Sequence, residues 1–494
     1  MSLLRRAPVS TDALLLAAVI AAGAALRFVA LSKQSFWFDE ALTVGLAKRG
    51  LFDMLHHIPG SEADPPLYYV LAWAWRHVFG SGEAGLRSLS AVAGTAAIPV
   101  AWAAGRELVS SRVGLVAAAI VAVNPMLIWY SQEARAYSLV VLLAAMSFWL
   151  FLLARRRRTA GSLAAWAAVS SLAILTHYAA AFLILAEAAW LFWELPRMRR
   201  AVVAAIGTVG LVGLVLLPLA VHQADGRTDW VGSIPLADRL WDVLRELGSG
   251  NTFLISSGWA APGGAWAILG FAGVVAGGIL VVTLGPGRAR RGAACSAAVG
   301  AAALAIPLLL SPTRFDTFLD RNLIGAWFPL AVALAVGIGA TTRRVVGVMA
   351  LALLLLASIG VTLMVPRHAH LQRTDWRDAA AALGTPRVAR AVVVKPGYLA
   401  GPAGNGSVLA VYGHTLRAMP DGARVREVVV VHGPDPEPKG PAPPGPPGFT
   451  LVEERHLQDV AFLRYRAARP HPLGYSAALL ARSDARVLLE RPSG

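Results

Sequence analysis

The chain has 494 residues, with 45 Lys+Arg against 29 Asp+Glu and a formal net charge of +16. It is 56% hydrophobic and only 15% charged, whereas a soluble domain carries about 25% charge. Composition therefore excludes an ordinary soluble multidomain enzyme, and the apolar mass excludes a disordered basic chain. The single cysteine, Cys295, excludes a disulfide framework and a cysteine-based metal site.

The apolar residues come in long blocks. A bilayer core takes about 20 apolar residues to cross as a helix. Blocks at roughly 12–31, 88–105, 113–130, 137–154, 161–176, 179–194, 201–221, 263–284, 293–311, 323–341 and 346–365 reach or approach that length. They are apolar on every face, as membrane helices are and amphipathic surface helices are not. Arg5 and Arg6 precede the first block, but an acidic motif follows it instead of a small-residue cleavage pattern, so it reads as a span and not a signal peptide. Arg27, late in this span, could snorkel towards the headgroups, and no role is assigned to it.

Orientation follows from the short loops. With the N-terminus inside, alternate loops hold Arg106 and Arg112; Arg155 to Arg158; Arg197, Arg199 and Arg200; Arg288, Arg290 and Arg291; Arg343 and Arg344. Every inner loop is then arginine-bearing, as the positive-inside bias demands. The pattern holds only if the stretch 66–79 does not cross. That stretch carries Arg76, His77 and several aromatics and reads as a helix at the outer surface. The expected architecture is an α-helical polytopic membrane module over 1–365 with about eleven spans and a first outer loop over about 32–87. From Pro366 the apolar runs shorten to strand length, as in Ala391 to Val394 and Val428 to Val431, after a helical stretch over 375–383. Residues 433–448 are a Pro/Gly-rich turn or linker. A small α/β domain over 366–494, outside the membrane, is the expectation. No solenoid repeat, Walker loop, dinucleotide fingerprint or zinc-finger spacing occurs.

The same alternation collects the polar residues on the outer side. The first outer loop holds Phe36-Trp37-Phe38-Asp39-Glu40, His56-His57 and Asp64-Pro65-Pro66-Leu67-Tyr68-Tyr69; the next holds Glu133, Arg135 and Tyr137; then come His177 and Tyr178, and later Arg314, Asp316, Asp320 and Arg321. Ionisable groups at membrane depth are costly and mark function. Asp39-Glu40 beside an apolar wall suits a general base, because repulsion and desolvation both favour the protonated carboxyl; the alternative role is at a helix N-terminus. Arg135 suits a phosphate fork, and Arg321 and His177 suit the same anion. Asp64 is equally suited to cap the surface helix. Leu236, Leu240, Val243, Leu244 and Leu247 form a helical stripe in the fourth outer loop, over 222–259. This reads as a lid or, preferably, as a helix resting on the bilayer.

Taken together, Trp37-Phe38-Asp39-Glu40, Pro65-Pro66-Leu67-Tyr68-Tyr69, Arg87 and Glu133-Ala134-Arg135-Ala136-Tyr137 resemble the GT-C membrane glycosyltransferases, in particular the bacterial protein-mannosyltransferase-like and aminoarabinose-transferase-like group. The resemblance is good over about 10–200 and looser beyond. It implies a hexosyl or pentosyl transferase that takes its sugar from a polyprenyl-phosphate carrier and works, usually with inversion, at the outer face of a prokaryotic plasma membrane. Asp39 and Glu40 map to the catalytic acidic motif. Glu133, Arg135, Tyr137, His177, Tyr178, Arg321, Asp64 and Tyr68 are the expected contacts to donor phosphate and sugar. Relatives often carry Lys or His before the first proline of the Pro-Pro pair, where this chain has Asp64. A carboxylate does not stabilise phosphate, so Arg135, Arg321, His177 or a divalent metal bridging Asp64 must do so. No ligand spacing demands a metal, and no cofactor other than the lipid-linked donor is implied. The expected partners are membrane lipids, that donor, and an acceptor hydroxyl on a protein, lipid or glycan of the cell envelope; nucleic acid is not among them. The main rival is a transporter or flippase, which would place its charges near the midplane and show repeated halves.

Overall fold

The computed structural model describes residues 10–224, 229–249, 264–285, 287–313, 316–368, 371–395, 408–420, 422–433, 445–457, 460–473 and 485–492. Arg5, Arg6, Arg314, residues 250–259 of the fourth loop and 434–444 of the Pro/Gly-rich stretch lie outside the described residues. The chain divides into two compact units, one of residues 1–31, 62–71 and 87–365, the other of 32–61, 72–86 and 366–494. The second unit thus takes in much of the expected first loop as well as the C-terminal domain.

A helix stands at each of the eleven apolar blocks. In the first unit these are α1 (Thr11–Phe28), α5 (Glu83–Leu108), α6 (Ser111–Val123) continued by α7 (Pro125–Ser131), α8 (Tyr137–Arg157), α9 (Ala160–Thr176), α10 (Ala180–Glu194), α11 (Arg199–Ala224), α14 (Gly264–Val282), α15 (Arg288–Leu310), α16 (Ile324–Ala340) and α17 (Arg344–Met364). Among the described residues, eight helices are long and apolar enough to cross a membrane, or nine with the bent α6–α7 pair. The difference from eleven lies in α9 and α10, whose 17 and 15 residues rise only about 23–26 Å against a hydrocarbon core of about 30 Å. The stretch over 66–79 forms α4 (Leu67–Phe79), of 13 residues, about 20 Å long and too short to cross.

Arg27 does not snorkel. It is fully buried, at 0% exposure, because the fold gives its guanidinium a better partner than headgroups. The α6–α7 span bends by 57° at Asn124-Pro125, where the Asn124 side chain caps α7 by accepting from Leu127 N–H at 3.0 Å. The break leaves the last carbonyls of α6 without intrahelical donors. Arg27 supplies them, donating to Val121 O at 2.8 Å and Ala122 O at 2.7 Å. In return Gln132, which ends α7, donates to the terminal carbonyls of α1, Leu26 O at 3.0 Å and Val29 O at 3.1 Å. Gly94 of α5 lets the helix lie against this junction, since a Cβ there would run into Arg27 and the Ser131 hydroxyl.

Two other features of this unit matter. Helix α13 (Leu236–Ser249), which follows the short α12 (Asp229–Ser233), is packed, not loose: Val243 is buried with Phe318 and Leu323, and Arg239 donates to both oxygens of Asp316 at 2.7 and 2.8 Å. Its other side exposes Trp241 and Leu244, an apolar face of the kind that rests on lipid. In α10, buried Glu187 accepts from Ser147 Oγ at 2.6 Å and Trp166 Nε1 at 2.8 Å, tying α10 to α8 and α9.

The second unit has α2 (Phe38–Ala47), α3 (Leu51–Ser61), α18 (Trp376–Leu383), the single turn α19 (Val408–Val411) and six strands. The strands are β1 (Arg390–Lys395), β2 (Arg417–Ala418), β3 (Arg424–His432), β4 (Thr450–Leu457), β5 (Val460–Pro472) and β6 (Arg486–Glu490), in the order β2-β6-β1-β3-β5-β4. Among the described residues only β1 and β3 pair in parallel, Val392 opposite Val429; the other pairings are antiparallel. These central strands are the two valine runs, buried on both faces as inner strands require. On one face Val392, Val394, Val429 and Val431 pack against Trp376, Ala379 and Leu383 of α18 and Ala41 of α2.

Buried Arg390 anchors this sheet to α18. It donates to Glu490 at 2.9 Å and to Leu383 O at 2.7 Å, placing positive charge at the C-terminal end of α18, where the helix dipole favours it. His414 lies between Glu490 Oε1 and Ala380 O, 2.9 Å from each. Burial opposes ionisation of Glu490, but His414 and Arg390 together hold its carboxyl below the usual range. Arg390→Met should remove the arginine partner of buried Glu490, leaving it His414 alone, and cost about 3–5 kcal/mol. Thermal unfolding of the full chain in lipid should show this loss, and Arg390→Lys should recover only part of it.

Candidate functional site

Asp39 and Glu40 open α2 in the second unit, and their environments separate them. Glu40 is fully buried, at 0% exposure, and its carboxylate reaches back to the Trp37 N–H at 3.4 Å, the N-terminal capping position. Asp39 is half-buried. The helix-start role therefore falls to Glu40, and Asp39 is the more accessible carboxylate.

The first unit holds a buried ionic cluster. Arg135 sits in the turn between α7 and α8, a position fixed by three local ties. Gln132 binds the end of α1, Ser138 donates to Ser131 Oγ at 3.2 Å, and Ser90 of α5 donates to Arg135 O at 3.3 Å. The guanidinium donates to Glu62 Oε2 at 2.8 Å and Asp64 Oδ2 at 3.2 Å, with the Tyr69 ring 5.8 Å away. The Tyr69 hydroxyl donates to the same Glu62 oxygen at 2.7 Å. The arginine fork expected to take phosphate is thus divided between two carboxylates.

His177 ends α9 and faces Asp64, with Nε2 3.5 Å from Oδ1. Its Nδ1 accepts from Ala179 N–H at 3.2 Å, which assigns the ring proton to Nε2. Tyr178 donates to Gln223 at 2.7 Å, and Gln223 donates to Asp64 O at 3.1 Å, so α11 also holds the Asp64 backbone. The Tyr137 ring lies 5.9 Å from His177. Arg321 precedes α16, stacks its guanidinium 5.4 Å from the Trp230 ring, and is close enough for its charge to act on His177. Glu133 is buried and shares the surroundings of Tyr130 with Glu246 and Asp320. Tyr68 is fully buried, its hydroxyl 3.3 Å from Ser90 Oγ, which makes it a support for the Arg135 turn.

The structure therefore brings Asp64, Arg135, His177, Tyr137 and Tyr178 together around Tyr69, which the sequence reading quoted only within its motif, and two residues that it missed, Glu62 and Gln223. A signal for Glu62 existed. It stands two residues before Asp64, the spacing that puts two side chains on one side of an extended segment. Gln223 carries no such signal. Among the described residues, no group of three or more His, Cys, Asp or Glu is placed to hold a metal ion.

Burial sets the protonation of the cluster. It pushes the Glu62 carboxyl above its usual range, outweighing the opposing pull of Arg135. Burial also lowers His177, and Arg135 and Arg321 add to this against the opposing effect of Asp64.

A histidine whose folded pKa is depressed stabilises the fold at pH above its unfolded value, and that stability is lost as pH falls through the folded value. The melting temperature of the wild type should therefore drop below about pH 6.5 more than that of His177→Gln. Arg135→Leu should cost about 3–5 kcal/mol by leaving Glu62 and Asp64 without their cation, read as a lowered melting temperature that acidification partly restores.

Comparison with known proteins adds to this geometry. No curated protein sequence matches the chain. A family model described as dolichyl-phosphate-mannose-protein mannosyltransferase matches residues 63–222, about a third of the chain. Among similar solved structures, the Archaeoglobus fulgidus oligosaccharyltransferase in complex with Zn and sulfate aligns at 17% identity and a TM-score of 0.47, covering 75% of this chain and 55% of that one. ArnT from Cupriavidus metallidurans bound to undecaprenyl phosphate aligns at 16% and 0.40, covering 91% and 97%. The S. cerevisiae protein O-mannosyltransferase Pmt1-Pmt2 complex bound to the sugar donor aligns at 18% and 0.35, covering 44% and 35%. The chain spans about half the length of the archaeal oligosaccharyltransferase chain it matches. The family match and the sequence resemblance meet over the stretch that carries Asp64, Glu133, Arg135 and His177.

Proposed function

We propose that the chain is an integral-membrane glycosyltransferase that moves a sugar from a polyprenyl-phosphate carrier to an acceptor hydroxyl. The observation that carries this reading is the family match over 63–222, which contains the Asp64–Arg135–His177 cluster. Asp39 acts as general base. It takes the proton from the acceptor hydroxyl as the oxygen attacks the anomeric carbon. The bond from that carbon to the phosphate oxygen breaks on the opposite side, so the anomeric centre inverts, and polyprenyl phosphate leaves with the electron pair. Phosphate is already a good leaving group, so no general acid is required.

Positive charge near the departing phosphate lowers the barrier. Arg135 is divided between Glu62 and Asp64. Arg321 and the Nε2–H of His177 are the proposed phosphate donors, while Arg135 keeps the cluster in register. Glu133, Tyr137, Tyr178 and Asp64 are the proposed sugar-side contacts. The reaction is placed on the outer face of a plasma membrane, with the N-terminus cytoplasmic, from the arginine-bearing alternate loops. One feature favours the transporter reading, namely the broken α6–α7 span, since transporters use discontinuous helices at their substrate sites. Here Arg27 fills the break.

The test uses purified protein in lipid with a panel of polyprenyl-phosphate sugars and cell-envelope extract. Sugar loss from the carrier should fall about 10²–10⁴-fold in Asp39→Asn, and Arg321→Leu should weaken donor use while leaving the fold intact. Equal turnover by wild type and Asp39→Asn would refute the base. No turnover with any donor, together with movement of donor across the bilayer, would favour the transporter.

A further inference from the structure

The segment that leads into Asp39 is bound residue by residue within the second unit. Lys33 donates to Pro366 O at 3.1 Å, and Gln34 accepts from Arg373 N–H at 2.8 Å. Ser35 donates to Thr374 O at 2.9 Å and accepts from Trp376 N–H at 3.0 Å. Ser32 O accepts from Arg377 at 3.0 Å. The Phe36 N–H donates to the Tyr412 hydroxyl at 2.7 Å, and that hydroxyl donates to Glu83 at 2.9 Å. Arg377 pairs with the same Glu83 oxygen at 2.8 Å. Ser35 and Phe36 are buried, and Ala41, one turn into α2, packs with Trp376, Val408 and Leu409.

Among these hydrogen bonds the one from Phe36 to Tyr412 lies nearest to Asp39 in sequence, on a backbone amide three residues before it. A backbone N–H buried at this point needs an acceptor. Tyr412 accepts from it and passes its own proton to a carboxylate already fixed by arginine. The result is a relay, Arg377–Glu83–Tyr412–Phe36, that fixes where α2 begins and so where the Asp39 carboxylate is presented.

We propose that Tyr412 is a positioning residue for the reaction and that the C-terminal α/β domain serves as the mount of the acidic motif. The proposal rests on the reading of Asp39 as general base. Tyr412→Phe keeps the ring and removes only the hydroxyl. The Phe36 amide should exchange hydrogen at least about tenfold faster in this variant, while amides of β1 and β3 keep their protection. Turnover should fall about tenfold through misplacement of the base, with KM for the donor within about twofold of wild type. A residue acting through Asp39 gives non-additive losses, so Tyr412→Phe should slow Asp39→Asn no further. Unchanged exchange at Phe36, or the same fold-loss on the Asp39→Asn background as on wild type, would overturn the proposal. Wild-type turnover in Asp39→Asn would instead remove the general-base reading. Hydrogen exchange would then decide alone whether Tyr412 holds the segment, faster exchange supporting it and unchanged exchange overturning it.

Discussion

A polar group placed among apolar helices must find its partner inside the protein, and the Arg27 guanidinium is the strictest instance here. Its hydrogen bonds to Val121 O and Ala122 O are what allow α6 to stop at Asn124. Because α6 stops there, α7 can start in a new direction, and the turn after α7 arrives where Gln132 binds the end of α1. Arg135 follows three residues later. The location of the ionic cluster is in this sense set by a cation that takes no part in it. An apolar residue at 27 would leave two carbonyls unsatisfied in an environment that offers no water.

The second unit repeats the device outside the apolar helices. Arg390 and His414 meet the C-terminal carbonyls of α18, and Glu490 holds both side chains in place. In each unit a basic side chain ends a helix and thereby fixes the segment that follows. The difference is in the counter-charge. Arg390 has Glu490 beside it, whereas Arg27 donates to carbonyl oxygens, with Gly23 O the third. Carbonyl partners fit a site where a second full charge would carry a heavy desolvation cost.

The sequence made the helices legible because a bilayer leaves little choice. Each apolar block became a helix, and the two valine runs became the two central strands of the sheet. Crossing length was legible only to within a turn, so α9 and α10 counted as spans in the reading by blocks and fall short by length. The polar residues were legible as a set but not as pairs. Asp64, Arg135 and His177 were singled out for being charged in an apolar chain. That Arg135 would be met by Glu62 was not readable, because it depends on how a 73-residue separation folds back. Glu40 shows the opposite case. Its place three residues after Trp37 fits a capping position, and the structure uses it so.

Arg27 also constrains the order in which the chain can be assembled. Its carbonyl partners lie 94 and 95 residues downstream, so the first helix enters the bilayer long before they are synthesised. An arginine left in hydrocarbon costs about 2.5–3.5 kcal/mol on insertion scales. Until the α6–α7 pair arrives, that first helix must either hold Arg27 at the interface or stay sheltered beside the insertion machinery. The residue that later locks the break thus makes the first helix a provisional insertion. It becomes settled only when the sixth and seventh helices join it.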